Sequence, residues 1–299
     1  MLDLNGIEMR ENELLSKHST FKIGGPARVA VFPQSVDELV AVLKELKNCR
    51  YKYKIIGNGS NILFDDKGFD GIIIFTKRVC DVEYIHSGSS TYIKVACGKS
   101  LTELASDVGK KHCLGGMEFA YGIPGTVGGA VYMNAGAYGG QMSDIVRETV
   151  YLDTSSGEVK SLTAEEHKFD YRHSVFMEHP EYVILSTTIE LKEGNAEEIF
   201  ATMTKNMTSR REKQPLEFPN AGSTFKRPVG HFAGKLIEDC GLKGYTVGGA
   251  QISEKHAGFT VNIGGATSAD VLALIEHTKK TVKESFDVSL ECEIIYIPQ

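Results

Sequence analysis

The sequence predicts an α+β protein with two domains. Three observations carry this. Two capping boxes, Ser35 with Glu38 and Ser100 with Glu103, each open an apolar stripe at helical spacing. Short β-rich runs lie between and after them. The stretch YGIPGTVGGAVYMNAGAYGG, Tyr121 to Gly140, fits neither period and holds seven glycines in twenty residues. With 299 residues and 41% hydrophobic content, the chain can bury a sizeable core and is long enough for more than one domain.

In chain order, Ser35 caps a helix carrying Val36, Leu39, Val40, Leu43 and Leu46. The runs YKYKIIG, GIIIF and YIKVACG read as strands, and Ser100 caps a helix with Leu101, Leu104, Ala105 and Val108. After Gly140, VRETVYLD and YVILSTTIEL read as long strands separated by a polar connection. Asn195 caps a helix from Ala196 to Lys213 that Pro215 stops. A loop with three of the eight prolines follows, PLEFPNAGSTFKRPVG, then a short helix in FAGKLIEDCG closed by Gly241. Strands near 245–252 and 258–263, a helix over 268–285 and a closing strand over 288–297 complete the reading. The boundary falls near residue 205: a glycine-rich binding domain over 1–205, split near residue 80, then a smaller domain over 206–299. The closing strand is able to return to the first.

Composition excludes some functions. A formal net charge of −6 does not give a nucleic-acid-binding surface, so an anionic ligand must meet a local cluster of cations. The six cysteines are scattered and no Cys/His cluster has zinc spacing, so no metal is expected. The first twenty residues are too polar for a signal peptide, and no apolar run reaches membrane-spanning length. A reducing cytoplasm is the expected compartment.

Two glycine motifs stand out. GNGSNIL (Gly57, Asn58, Gly59, Ser60, Asn61, Ile62 and Leu63) directly follows a strand. It is neither a Walker loop nor a dinucleotide fingerprint, and alone it reads as a tight turn. The second, Gly122-Ile-Pro124-Gly125-Thr126-Val-Gly128-Gly129, continues through Asn134, Gly136 and Ala137. Together the two runs offer main-chain amides and small side chains along which a flat, extended dinucleotide could lie. A purely structural glycine-rich loop is the alternative. Tyr121 either stacks on an aromatic ring or belongs to the core.

Six segments then occur in one order: TFKIGGPA, GNGSNIL, GIPGTVGGAVYMNAGAYG, YRHSVF, NAGSTFKRP and AGKLIEDCGLKG. Together they closely resemble the UDP-N-acetylenolpyruvoylglucosamine reductases (MurB family), a resemblance that extends over nearly the whole chain. The resemblance implies FAD in a domain of the vanillyl-alcohol oxidase type, NADPH as co-substrate and UDP-N-acetylglucosamine enolpyruvate as substrate. The first glycine turn holds no His or Cys, so the FAD is expected to be non-covalent. The short span from Glu190 to Asn220 resembles the subtype without an inserted tyrosine loop.

The same resemblance assigns catalytic roles. Arg172, in YRHSVF, corresponds to the arginine that polarises the substrate carboxylate, for which a planar fork suits better than a lysine. Ser223, in NAGSTFKRP, corresponds to the donor that protonates the enolate. Glu293 corresponds to the catalytic glutamate, although Ile295 stands where a basic residue is usual. Strand alternation alone places Glu291 and Glu293 on one face and does not choose between them. Arg210, Arg211 and Lys213 before Pro215, with Lys226 and Arg227 after Ser223, form the cation cluster expected to meet a diphosphate. His256 sits where the family contacts substrate, and a packed histidine is the alternative. Another FAD-dependent dehydrogenase of this fold, or a silent nucleotide-binding regulator, are the competing readings. A small-molecule substrate, no nucleic acid, no membrane and a monomer are the expected partner states.

Overall fold

The computed structural model describes residues 4, 6–47, 51–88 and 90–299, so Cys49 lies outside the described residues. The chain divides into two compact units. One comprises Met1–Arg10, Ala30–Asn58 and Ile72–Thr208; the other comprises Glu11–Val29, Gly59–Gly71 and Ser209–Gln299.

In the first unit both expected caps form. Ser35 Oγ accepts from Glu38 N at 3.1 Å, and Ser100 Oγ accepts from Glu103 N at 3.3 Å. Helix Leu101–His112 buries its expected stripe; helix Val36–Leu46 buries Leu39, Leu43 and Leu46 together with Val42, while Val36 and Val40 are half-buried. Tyr53–Ile56 pairs parallel with the end of Phe69–Phe75, through Ile72 to Phe75. A larger antiparallel sheet has the order Glu158–Thr163, Val146–Asp153, Tyr182–Glu193, Ser90–Ala96, Val82–Ser87. The segment read as a polar connection therefore contains a strand, Glu158–Thr163. Its own residues are mostly exposed. It forms because Val146–Asp153 offers a sheet edge and Asp153 nucleates the turn, Oδ1 accepting from Ser155 N at 3.0 Å and Ser156 N at 3.2 Å.

The second unit holds a four-stranded antiparallel sheet in the order Asn220–Ser223, Phe259–Asn262, Ala250–Ile252, Thr246–Val247. Helices Ala233–Asp239 and Ser268–Phe286 contribute Leu236, Ile237, Val271, Leu274 and Ile275 to its core, against Ala250 and Ile252. Thr267 and Asp270 form a capping box for the longer helix. The helix Ala196–Lys213, whose start belongs to the first unit, begins as expected, with Asn195 Oδ1 accepting from Glu197 N and Glu198 N at 2.9 and 3.2 Å.

The closing strand is shorter than its sequence suggests. Only Ile295–Ile297 is strand, parallel to Ile62–Phe64. Before it, Cys292 makes a single antiparallel bridge to Phe225. The chain changes partners at Ile294: Glu293 N still bonds Thr224 O at 2.9 Å, whereas Ile295 N bonds Asn61 O at 3.0 Å. Periodicity cannot register such a change, because side-chain alternation continues through it. No helix among the described residues is long and apolar enough to cross a membrane.

Candidate functional site

In the first unit, the glycine run is bonded along its length to the segment entering helix Leu101–His112. Leu101 N donates to Gly125 O at 3.0 Å, Val127 N to Lys99 O at 2.9 Å and Gly128 N to Cys97 O at 2.8 Å. Gly122 N donates to Thr102 Oγ1 at 3.2 Å, and that hydroxyl donates to Ile123 O at 2.7 Å. Thr126 caps a short helix, Val127–Tyr132, by accepting from Gly129 N at 3.3 Å. The amides of Gly122, Ile123, Val127, Gly128 and Gly129 are thus already paired inside the protein. This corrects the expectation that the run presents a row of open amides. Asn58 ties the first glycine turn to the second run, Nδ2 donating to Pro124 O at 2.6 Å.

Most of these glycines have an internal reason. A Cβ on Gly57 would lie 2.3 Å from Thr126 Oγ1, on Gly128 2.9 Å from Cys97 Cβ, and on Gly136 2.7 Å from Gln141 Cβ across the Gly136–Ala137 hairpin. Gly129 differs. It is exposed within a helix, and a Cβ there would meet only Thr126 Oγ1, at 3.5 Å. Alanine is the better helix former by about 1 kcal/mol, so nothing inside the protein requires glycine at this position. A ligand lying flat on this helix would account for glycine here, and the exposed side-chain-free surface fits the FAD expected. Tyr121, expected to stack or pack, carries Lys110 Nζ 5.1 Å from its ring centroid.

Arg172 lies in a turn closed by Asp170 N to His173 O at 3.2 Å and His173 N to Asp170 O at 3.1 Å. Its φ is 53°, a left-handed conformation that costs a non-glycine residue about 1–2 kcal/mol. Its Nη2 donates to Gly136 O at 3.1 Å. Asn134, expected to touch cofactor, is instead buried, at 1% exposure. Its Nδ2 donates to Asp170 O at 3.0 Å and its Oδ1 accepts from Ser143 N at 3.0 Å. Ser174 Oγ donates to Tyr132 O at 2.7 Å.

In the second unit, Ser223 ends a bulged strand. The register shifts between Asn220 and Ser223. Asn220 Oδ1 accepts from Gly222 N at 2.9 Å, and Gly222 has φ 78°, the left-handed region that glycine enters without strain. The following residue anchors the serine: Thr224 is buried, its N donates to Gly258 O at 2.8 Å and its Oγ1 to Thr260 Oγ1 at 3.0 Å. Ser223 Oγ, half-buried, makes no hydrogen bond among the described residues. Glu293 runs beside it, N bonded to Thr224 O, while Asn61 Nδ2 donates to Glu293 O at 3.0 Å. Glu291 is exposed and ion-paired with Lys226, whereas Glu293 is half-buried.

The candidate cations are unlike one another. Lys226 is occupied by Glu291. Arg227 lies over the Phe232 ring, 4.5 Å from its centroid. Lys213 is exposed and makes no ion pair among the described residues. Arg210 is half-buried and Arg211 exposed, and Arg211 O accepts from Lys255 Nζ at 2.7 Å. His256 Nδ1 accepts from Gly258 N at 3.0 Å, so its neutral form carries the proton on Nε2. Burial holds its pKa below the usual histidine value.

The chain is similar to known proteins along nearly its whole length. Residues 214–297 match the profile of the UDP-N-acetylenolpyruvoylglucosamine reductase C-terminal domain, and residues 27–163 that of an FAD binding domain. UDP-N-acetylenolpyruvoylglucosamine reductase of Anoxybacillus flavithermus is 46% identical, over 98% of this chain and 96% of its own. That of Caldanaerobacter subterraneus is 48% identical, over 95% and 91%. The crystal structure of the Thermus caldophilus reductase matches with a TM-score of 0.80 at 33% identity, covering 98% of this chain and 99% of that one. A solvent-stable cholesterol oxidase, 16% identical with a TM-score of 0.50 over 62% of this chain and 38% of its own, shares the fold alone. The chain belongs to the UDP-N-acetylenolpyruvoylglucosamine reductase family and is an FAD-binding oxidoreductase.

Proposed function

We propose that this enzyme reduces the enolpyruvyl ether of UDP-N-acetylglucosamine to UDP-N-acetylmuramate, with NADPH as reductant, in peptidoglycan precursor synthesis in the cytoplasm. The observation that carries the reading is Ser223: a hydroxyl uncommitted among the described residues, on a bulge anchored by buried Thr224, with the Glu293 backbone bonded alongside. In this reading a boundary near residue 205 separates a flavin domain from a substrate domain, with residues 11–29 and 59–71 grouping with the second, and the two family matches fall on either side of it. The protein acts as a monomer.

The flavin, when bound, supplies the hydride that reaches the terminal carbon of the enolpyruvyl group. Negative charge then develops on the neighbouring carbon and spreads into the carboxylate. Arg172 is the group for that carboxylate, because its fork can pair both oxygens. Ser223 Oγ–H is the proton source for the carbanion, a weak acid matched to a strong base when the two are held in line. Glu293 accompanies the proton transfer. Lys213, with Arg210, Arg227 and Lys226, meets the diphosphate, and Lys226 is also ion-paired with Glu291.

Stopped-flow of the two half-reactions tests the proposal. NADPH should bleach the flavin absorbance, and UDP-N-acetylglucosamine enolpyruvate should restore it anaerobically. Bleaching without restoration would leave a flavin reductase with a different acceptor.

A further inference from the structure

We infer that Asn134 is a positioning residue for Arg172 rather than a wall of the cofactor site. The inference rests on the reading of Arg172 given above. Two stretches of the first unit, 132–136 and 170–174, are bonded to each other at three points. Asn134 Nδ2 donates to Asp170 O at 3.0 Å, Ser174 Oγ to Tyr132 O at 2.7 Å, and Arg172 Nη2 to Gly136 O at 3.1 Å. Asn134 is the centre of this stitching. Its second Nδ2 hydrogen faces Gln141 Oε1 at 3.4 Å, and its Oδ1 takes Ser143 N. Both of its donor hydrogens are engaged, and the side chain is buried. It has none left to offer a ligand.

Arg172 needs such support. Its left-handed φ of 53° is unfavourable for an arginine and persists only where the surroundings hold it. The Asp170 carbonyl sits at the base of that turn and accepts from both His173 N and Asn134 Nδ2, one hydrogen for each lone pair. Releasing the Asn134 bond frees the turn and with it the direction of the guanidinium. Asn134 itself has φ 42°, a region that asparagine enters more readily than most residues.

The test uses the flavin-loaded enzyme and Asn134→Asp. This variant keeps an oxygen toward Ser143 N but places an oxygen where Nδ2 donates to Asp170 O. Hydrogen exchange over residues 168–175 should quicken about tenfold or more. Flavin content and NADPH bleaching should stay within about threefold of wild type, while reoxidation by the enolpyruvyl substrate slows about tenfold or more. In the Arg172→Lys background the same change should add less than about threefold, because both substitutions remove one alignment. Loss of flavin with unchanged exchange over 168–175 overturns the inference, as does equal slowing of both half-reactions or a fully multiplicative double variant. If wild-type flavin is never reoxidised by this substrate, the substrate reading falls, and the exchange and flavin-content measurements still decide the role of Asn134. Should Asn134→Asp not accumulate, Ser174→Ala removes a neighbouring tie and should quicken exchange over 168–175 and slow reoxidation about threefold with NADPH bleaching unchanged; no change in exchange over 168–175, or equal slowing of both half-reactions, would overturn the inference.

Discussion

Asn134 and Arg172 hold one another reciprocally. Asn134 donates to the carbonyl two residues before Arg172, at 3.0 Å, and Arg172 donates to the carbonyl two residues after Asn134, at 3.1 Å. A strained turn is thereby tied to the glycine-rich segment, and a guanidinium is fixed at a backbone carbonyl.

Replacing the fork should therefore separate the two half-reactions. Arg172→Lys should leave NADPH bleaching of the flavin near wild type and slow reoxidation by the enolpyruvyl substrate about a hundredfold, through loss of bidentate geometry. Rapid-mixing absorbance resolves the two steps. Wild-type reoxidation in the variant would remove Arg172 from the chemistry.

Ser223→Ala should have a similar signature for another reason. Removing the hydroxyl should slow reoxidation about a thousandfold or more while the thermal midpoint shifts little, since Ser223 Oγ bonds no described residue. A matched loss in both half-reactions would mark the serine as structural.

The two glutamates near the C-terminus can be separated. Glu293→Gln should slow reoxidation about tenfold or more. Glu291→Gln breaks only an exposed pair with Lys226, worth less than about 1 kcal/mol, and should leave turnover unchanged. Reversed effects would exchange the assignments.

Glycines offer a contrast between packing and ligand contact. Gly57→Ala drives a Cβ to 2.3 Å from Thr126 Oγ1 and should disturb the helix cap, lowering stability by about 1–2 kcal/mol even without flavin. Gly129→Ala meets no clash and should stabilise the flavin-free protein by up to about 1 kcal/mol, yet weaken flavin binding at least tenfold. Thermal melts and flavin titration of the stripped protein measure both. Full flavin affinity in Gly129→Ala would remove the cradle from this helix.

His167 predicts an acid-side loss of stability. Fully buried, it donates Nδ1–H to Thr163 O at 2.6 Å and accepts at Nε2 from Thr149 Oγ1 at 2.8 Å, an arrangement that suits neutral imidazole. Burial depresses its folded pKa below its usual value. Its contribution is thus complete above the unfolded pKa, near 6.5, and is lost as pH falls from there toward the folded pKa. The urea-unfolding free energy should fall by up to about 1.4 kcal/mol per pH unit from this group, and His167→Gln should remove that share. An identical acid slope in the variant would mean that His167 titrates normally.

Much of this protein was legible from local pattern. The helix starts at Ser35, Ser100 and Asn195 were readable because a cap and its partner amide lie within three residues. Six ordered motifs indicated the family and its FAD. The helix Val127–Tyr132 was not readable, because two glycines occupy its first turn and its start is fixed by bonds from Val127 N and Gly128 N to the remote Lys99 and Cys97 carbonyls. The strand Glu158–Thr163 was missed because its neighbour, not its composition, makes it a strand.

The sequence by itself determined which residues could do chemistry and which local elements would form, because caps, periods and motifs act over a few residues. Only the tertiary structure decided which glycines serve packing, that Asn134 faces Asp170, that Glu291 is occupied by Lys226, and that the chain changes partners at Ile294. Each of these depends on a hydrogen bond or a steric contact, and either is set by whichever remote segment folding brings within about 3 Å.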